Sequence, residues 1–248
     1  TFFTTPYDLD TVDFINPYVP AFKIGSGDVA WHAMLEKIAK TNKPVIFATG
    51  ASTIHEVVEA VSIIKKYTDD FVLMQCNTNY TGDDENFKYI NLNVLKTYKT
   101  LFPEVVLGLS DHTHGGVTVL GSVVLGSKVI EKHFTDDTTR DGPDHPFSMD
   151  PASWKKMVDD TRLLELAMGS TIKKVEENEK ETVILQRRAI RTIKGLKEGE
   201  VLKITDIQFQ RPCPQDAISV NDIDKIIGKT ILSDIENGDY LRKQHIRW

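Results

Sequence analysis

The sequence predicts an α/β protein, a (β/α)8 TIM barrel lacking its first two βα units, followed by a small C-terminal β-rich domain. Short apolar runs that end in small or polar residues recur between helical patterns: FFTTPY, AFKIGSGD, PVIFATG, FVLMQCNTNY, VVLGLSDHTH and KVIEKHFTDD. This alternation predicts parallel strands joined by helices. No glycine-rich phosphate turn follows the first run, which disfavours a doubly wound open sheet. An internal repeat near the C-terminus indicates the second domain.

The number of strand runs indicates which part of the barrel the sequence covers. Six units are two short of a complete barrel, whose typical size of about 250 residues would leave roughly 80 residues before Thr1. The opening segment TFFTTPYDLD has neither an initiator methionine nor a signal pattern. We therefore expect the chain alone to be inactive, because an incomplete barrel leaves a strand edge unpaired.

Two helices have clear start signals. Thr53 and Glu56 form a Thr-x-x-Glu capping box before an apolar stripe with helical spacing. Asp150 is placed to cap the helix after the last strand run, with Pro151 at its first position and Gly169 as its stop. This last helix closes the barrel domain.

The chain is predicted to contain a barrel domain at 1–170, a charged linker at 171–185 and a second domain at 186–248. Within the second domain, segments 193–207 and 232–246 align at a constant offset of 39. The alignment matches Leu196 with Ile235, Gly199 with Gly238, and Leu202 with Leu241. Each copy predicts a strand, a glycine-containing turn and a second strand.

Composition excludes several classes of function. The net charge of -6 and the absence of basic runs argue against nucleic-acid binding. No apolar run reaches the length of a membrane span. Cys76 and Cys213 have no disulfide or metal-ligand spacing, which favours a reducing, cytoplasmic location. A small-molecule partner is the remaining expectation.

Side chains suited to catalysis lie where the predicted strands end. Residues two apart on a strand share a face, and barrel active sites form at the C-terminal strand ends. The alternation therefore directs Glu131 with His133, Ser110 with His112, and Lys23 into one cavity. The intervening apolar residues then face the outer helices.

His112 and His133 on adjacent strands could hold a divalent cation and leave coordination positions open for substrate oxygens. Mixed nitrogen and oxygen ligands suit manganese, magnesium or cobalt. Each histidine alone is more typical of a hydrogen-bonded structural residue, whereas together they favour a metal site. Lys23 and the turn at Ser26 suit a phosphate or carboxylate, and Asp144 lies on a Gly-Pro turn close to the predicted metal.

These motifs carry a family resemblance. KIGSGD, CNTNYT, GLSDHT and EKHFTDD followed by GPDH are similar, in order and approximate spacing, to the N-acetylneuraminate (sialic acid) synthase family. The resemblance covers the whole chain. It implies a (β/α)8 barrel with a C-terminal antifreeze-like (SAF) domain, and a domain-swapped homodimer.

The resemblance also implies a reaction. The methylene carbon of phosphoenolpyruvate attacks the aldehyde of an open-chain N-acetylated hexosamine, such as N-acetylmannosamine, and water completes the reaction with loss of phosphate. Lys23 and Glu131 are implied to be catalytic, and His112 and His133 to bind metal. Substrate contacts are implied for Thr5, Ser26, Asp28, Thr78, Tyr80, Ser110, Asp144 and Arg211. Arg211 is implied to enter the barrel of the partner subunit.

The sequence departs from the family pattern at several positions. Asp28 replaces a glutamate, Ala48 a serine, and Thr78 a serine or asparagine, while Cys213 and Pro214 follow the Arg211-Pro212 pair where glycine is usual. The acceptor could lead to sialic, legionaminic or pseudaminic acid. A metal-dependent sugar aldolase or isomerase and a non-catalytic sugar-binding module are the alternatives.

Overall fold

The computed structural model describes residues 1–247 and divides the chain into two compact units. The first unit is Thr1–Gly169, and the second begins at Ser170. Within the described residues, no helix has both the length and the apolar character needed to cross a membrane.

The first unit is built on five parallel strands in the order β1-β2-β3-β4-β5. The strands are β1 Phe22–Ile24, β2 Val45–Ala48, β3 Phe71–Cys76, β4 Val106–Asp111 and β5 Val129–Lys132. Each strand pairs with the next along the chain, and a helix lies in each connection. This sequential parallel order is the one that the alternating pattern predicts.

Six α-helices accompany this sheet: α1 Leu9–Ile15, α2 His32–Ala39, α3 Ile54–Ile64, α4 Val94–Leu101, α5 Val117–Val124 and α6 Pro151–Met168. The two start signals are confirmed. Thr53 and Glu56 form a reciprocal capping box before α3, and the Asp150 side chain accepts the Ser153 amide hydrogen bond at the start of α6.

The first predicted strand, FFTTPY, is wrong in extent. Only Thr4 pairs, in a single parallel bridge to Phe22. The run contains Pro6, which has no amide hydrogen to donate and disfavours continuation of the ladder. Phe2 and Phe3 remain exposed in the described part of the chain.

Alternation along the strands creates two separate apolar layers. Phe22, Ile24 and Phe47 point to the helices and join the main core with Leu35 and Val61. The opposite face carries a smaller apolar cluster of Ala48, Met74 and Cys76, with Ile46, Val72 and Val129 packed against it. Polar side chains continue this inner face toward the C-terminal strand ends.

The second unit contains α7 Lys180–Gln186, β6 Ala189–Thr192, β7 Ile207–Gln210 and the short α8 Ile223–Ile226. Helix α7 falls mostly within the predicted linker. Strands β6 and β7 are antiparallel. The repeat copies do not form two separate hairpins, since Leu196 of one copy pairs directly with Ile235 of the other.

Candidate active site

Curvature of the sheet brings side chains from its two edge strands into contact. Lys23 on β1 and Glu131 on β5 form an ion pair with 3.2 Å between Nζ and Oε2. The hydroxyl of Ser110, on the intervening strand β4, donates to Glu131 Oε1 at 3.2 Å. Lys23 and Ser110 are buried, whereas Glu131 is partly accessible. A cation, a hydroxyl and a carboxylate therefore converge on the inner face, as the alternation predicts.

The two histidines lie next to this group at the ends of β4 and β5. Their ring centroids are 5.1 Å apart. His112 Nδ1 lies 2.7 Å from the Asn77 carbonyl oxygen, and His133 Nδ1 lies 3.4 Å from Asp144 Oδ2. These acceptors orient each ring through Nδ1 and leave Nε2 for another partner.

Burial lowers the pKa of His112, the hydrogen bond to the Asn77 carbonyl opposes this effect, and His133 lowers the pKa further. The lowered pKa favours the neutral imidazole near neutral pH, which is the form that binds metal ions. An imidazole whose second nitrogen is held by a carbonyl or carboxylate is the usual arrangement around protein-bound metals. The pair therefore fits a divalent cation.

Among residues 1–247, no group of three or more His, Cys, Asp or Glu side chains is arranged to hold a metal ion. If a cation binds to His112 and His133, the two rings would provide nitrogen ligands, and substrate oxygens or water would complete the coordination. Such open coordination is typical of metals that act on a substrate.

The side of the site that the sequence predicts to bind an anion lies at the ends of β1, β2 and β3. The Gly50 amide donates to Ser26 Oγ at 2.9 Å, and Ser26 is buried. A methyl group at Gly50 would lie 2.8 Å from Thr78 Cγ2 and 3.1 Å from Cys76 Sγ. Gly50 therefore permits the close approach of these three side chains. Burial raises the pKa of the Cys76 thiol, which favours its neutral form.

Thr5 and Asp28 flank the turn after β1. A methyl group at Gly25 would lie 3.8 Å from Thr5 Cγ2 and 4.0 Å from Asp28 Oδ2. Burial raises the pKa of Asp28. Both side chains thus border the turn that carries Ser26.

Tyr80 covers the histidines. Its ring centroid is 4.2 Å from that of His112 and 5.7 Å from that of His133. Tyr80 lies in the loop between β3 and α4. Asn86, a buried residue of the same loop, donates from its side-chain amide to Thr81 Oγ1 at 3.0 Å and to Asn79 Oδ1 at 3.4 Å. Asn86 therefore fixes the residues on both sides of Tyr80.

Arg211 is the one predicted site residue that lies in the second unit. It is exposed, and its Nε donates to the Gln186 carbonyl oxygen at 2.7 Å. The other predicted residues all lie in the first unit, at or close to the C-terminal ends of its strands. The contact of Arg211 with a partner subunit stays a prediction.

Sequence reasoning missed several residues that shape the site. Phe147 packs with its ring centroid 5.0 Å from that of His133, and Asn77 and Asn86 act through loop contacts. No periodic signal marks these three. Asp111 and Lys132, which precede the two histidines, form a buried ion pair. The sequence did carry a signal for this pair, because strand alternation places both charges on the apolar, helix-facing side of the sheet.

Comparison with known proteins gives matches over nearly the whole chain. The NeuB family model matches residues 1–173 and the SAF domain model matches residues 187–247. Uncharacterized protein MJ1065 of Methanocaldococcus jannaschii is 41% identical over 97% of this chain and 70% of its own length. The N,N'-diacetyllegionaminic acid synthase of Campylobacter jejuni is 33% identical over 98% of this chain and 72% of its own.

A solved structure agrees with these matches. The N-acetylneuraminic acid (sialic acid) synthetase of Leptospira borgpetersenii, in complex with citrate, is 30% identical and superposes with a TM-score of 0.65. The superposition covers 72% of this chain and 62% of that one. The parallel sheet of the first unit therefore has the barrel-type arrangement that the sequence predicts.

Proposed function

The chain belongs to the NeuB family and carries a C-terminal SAF domain, and from this premise we propose that it is a nonulosonic acid synthase. The proposed reaction condenses phosphoenolpyruvate with an N-acetylated hexosamine to give a sialic-type acid and phosphate. One observation carries the proposal. Lys23, Ser110 and Glu131 form a contiguous polar chain beside the paired rings of His112 and His133.

The anionic substrate would bind at the Lys23 side. The Lys23 ammonium group and the Ser26 hydroxyl can offset the carboxylate and phosphate charges of phosphoenolpyruvate, and the Ser110 hydroxyl would do so by redirecting the hydrogen that it donates to Glu131. Ser26 Oγ accepts a hydrogen bond from the Gly50 amide at 2.9 Å, which orients the hydroxyl in the turn after β1. Donors that the fold has already oriented stabilise substrate charge with little reorganisation during the reaction.

The acceptor sugar would bind between Tyr80 and the acidic groups. A divalent cation, most suitably manganese, would be held by His112 and His133, and it would polarise the sugar aldehyde. Glu131 is placed to hydrogen-bond the oxygen that becomes the new hydroxyl group. Asp144 and Tyr80 would contact the sugar beside the histidines, and Tyr80 would exclude water from that side.

The carbon-carbon bond would form between the methylene carbon of phosphoenolpyruvate and the aldehyde carbon of the sugar. Water would then add to carbon 2 of the former phosphoenolpyruvate, and phosphate would leave. Membership of the family supports an amino-sugar acceptor, and we expect loop residues such as Tyr80 to select the particular hexosamine.

The test is product mass spectrometry. The full-length protein is incubated with Mn²⁺, phosphoenolpyruvate and a panel of acceptors that includes N-acetylmannosamine and 2,4-diacetamido-2,4,6-trideoxyhexoses. We expect a nonulosonic acid from at least one acceptor, with one phosphate released per product, and none from Lys23→Met. Conversion of a sugar without phosphoenolpyruvate would instead identify an aldolase or isomerase.

A further inference from the structure

A buried ion pair lies directly beneath the two histidines, on the opposite face of the sheet. Lys132 Nζ is 2.7 Å from Asp111 Oδ2, and the two side chains are 1% and 0% exposed. Asp111 belongs to the SDHT motif and Lys132 to the EKHFT motif. The proposed reaction uses neither residue.

Every charge of this pair has hydrogen-bond partners. The Asp111 carboxylate accepts bonds from the Thr113 amide and hydroxyl and, at 2.5 Å, from the Thr118 hydroxyl. Lys132 also donates to the Thr113 carbonyl oxygen at 2.6 Å. Because Thr118 belongs to α5, the network joins β4, β5, the β4–α5 loop and that helix.

The pair occupies the last rung of the β4–β5 ladder. Asp111 and Lys132 are register partners, and His112 and His133 are the residues that follow them. Both histidines therefore lie just past the last residue pair of the β4–β5 ladder. The separation of the two rings depends on how firmly this last rung is fixed.

Stability alone does not explain a pair of this kind. Removal of one partner leaves an uncompensated buried charge and is strongly destabilising, but replacement of both by neutral groups of similar size is often harmless to stability. If the pair were purely structural, replacement of both residues by neutral groups should change neither stability nor metal binding. If the pair sets the geometry of the histidines, the same replacement should weaken metal binding.

We propose that Asp111 and Lys132 are positioning residues that set the separation and orientation of His112 and His133 for a divalent cation. The proposal rests on the metal site of the proposed function. It assigns a role to the two charged members of the histidine motifs, which act from the helix side of the sheet and touch neither metal nor substrate.

The decisive variant replaces both charges at once, as Asp111→Asn with Lys132→Met. Asparagine retains an oxygen acceptor for Thr113, and methionine retains the apolar stem of the lysine. Two quantities are measured on the full-length protein, the thermal unfolding midpoint and the dissociation constant for Mn²⁺ by titration calorimetry. We expect a midpoint close to that of the parent and a dissociation constant raised about 10- to 100-fold.

A milder pair of variants covers the case in which the double variant does not fold. Thr118→Val removes one hydrogen bond to Asp111 without exposing a charge. Its control is Ser122→Ala, which removes another buried hydroxyl on α5, one that donates to the Val119 carbonyl oxygen. Thr118→Val should weaken Mn²⁺ binding several-fold, and Ser122→Ala should leave it unchanged.

Parent-like Mn²⁺ affinity in a folded double variant, or in Thr118→Val, would overturn the positioning role and leave the proposed function intact. Absence of Mn²⁺ binding in the parent protein would overturn both. Turnover is not needed to separate these outcomes.

Discussion

Gly50→Ala tests the packing around Ser26, on the side of the site that is proposed to bind phosphoenolpyruvate. The added methyl group would lie 2.8 Å from Thr78 Cγ2, 2.9 Å from Ser26 Oγ and 3.1 Å from Cys76 Sγ. The backbone of Gly50 does not have a left-handed φ, so alanine is conformationally permitted there. Only the lack of space opposes the substitution.

The magnitude follows from these distances. Ordinary carbon contacts are about 3.5–4.0 Å, so each neighbour must move by roughly half an ångström or more. Overpacking of this kind costs about 1–3 kcal/mol of unfolding free energy. Displacement of the Ser26 hydroxyl should remove one hydrogen bond to a charged substrate, worth about 1.5–3 kcal/mol. The dissociation constant for phosphoenolpyruvate should therefore rise about 10- to 100-fold.

The assay combines calorimetric titration of phosphoenolpyruvate with unfolding in denaturant. Gly27→Ala is the matched control, because it lies in the turn beside Ser26 and a methyl group there meets no atom within 4 Å. The control should keep parent stability. Gly50→Ala with unchanged phosphoenolpyruvate affinity would refute the assignment of Ser26 as a substrate contact, and unchanged stability would refute the packing argument.

Four further outcomes are expected. Asn86→Ala should raise the KM for the acceptor about tenfold in steady-state kinetics, because two loop hydrogen bonds are lost. Its Mn²⁺ affinity, measured by calorimetry, should be unchanged. His133→Ala should abolish Mn²⁺ binding and turnover, and full activity in excess chelator would contradict this. Mixed full-length subunits carrying Arg211→Ala or His133→Ala should regain activity if Arg211 acts in trans, and hybrid dimers without activity would exclude it. His245→Gln should reduce the stability that the second unit loses between pH 7.5 and 5.5, as measured by denaturant unfolding at each pH.

The inner face of the barrel could be predicted from sequence because its geometry is local. Side chains two apart on a strand share a face whatever the rest of the fold does. This rule alone directs Glu131 and His133, and Ser110 and His112, to the same side. The ion pair of Lys23 with Glu131 required more, because it depends on curvature that brings the two edge strands together.

Loop contacts could not be predicted in this way. The contacts of Asn86 with residues beside Tyr80, and of the Asn77 carbonyl with His112, arise from loop conformations that have no sequence period. The Asp111–Lys132 pair is an intermediate case. Its charges break the apolar pattern of the helix-facing side, and a charged residue at a buried position on each of two adjacent strands indicates an ion pair.

The two repeat copies in the second unit fold in the same way locally but use different ionisable residues, Asp206 and His245, at the same position. Gly199 and Gly238 both have positive φ, as two equivalent turns require. After each turn the chain caps a short helix in the same way. The Lys203 amide donates to Asp206 Oδ2, and 39 residues later the Arg242 amide donates to His245 Nδ1.

The two caps differ in the pH at which they fail. Burial lowers the pKa of His245 below its ordinary value of 6.5, and its Nδ1 accepts a hydrogen bond only when unprotonated. The unfolded chain therefore binds more protons, and the His245 contribution is lost as pH falls below 6.5. The hydrogen bond to Lys194 lowers the pKa of Asp206, so that cap holds until pH falls below 3.8. The His245 cap should therefore lose its contribution to stability in mild acid, and the Asp206 cap should keep its contribution there.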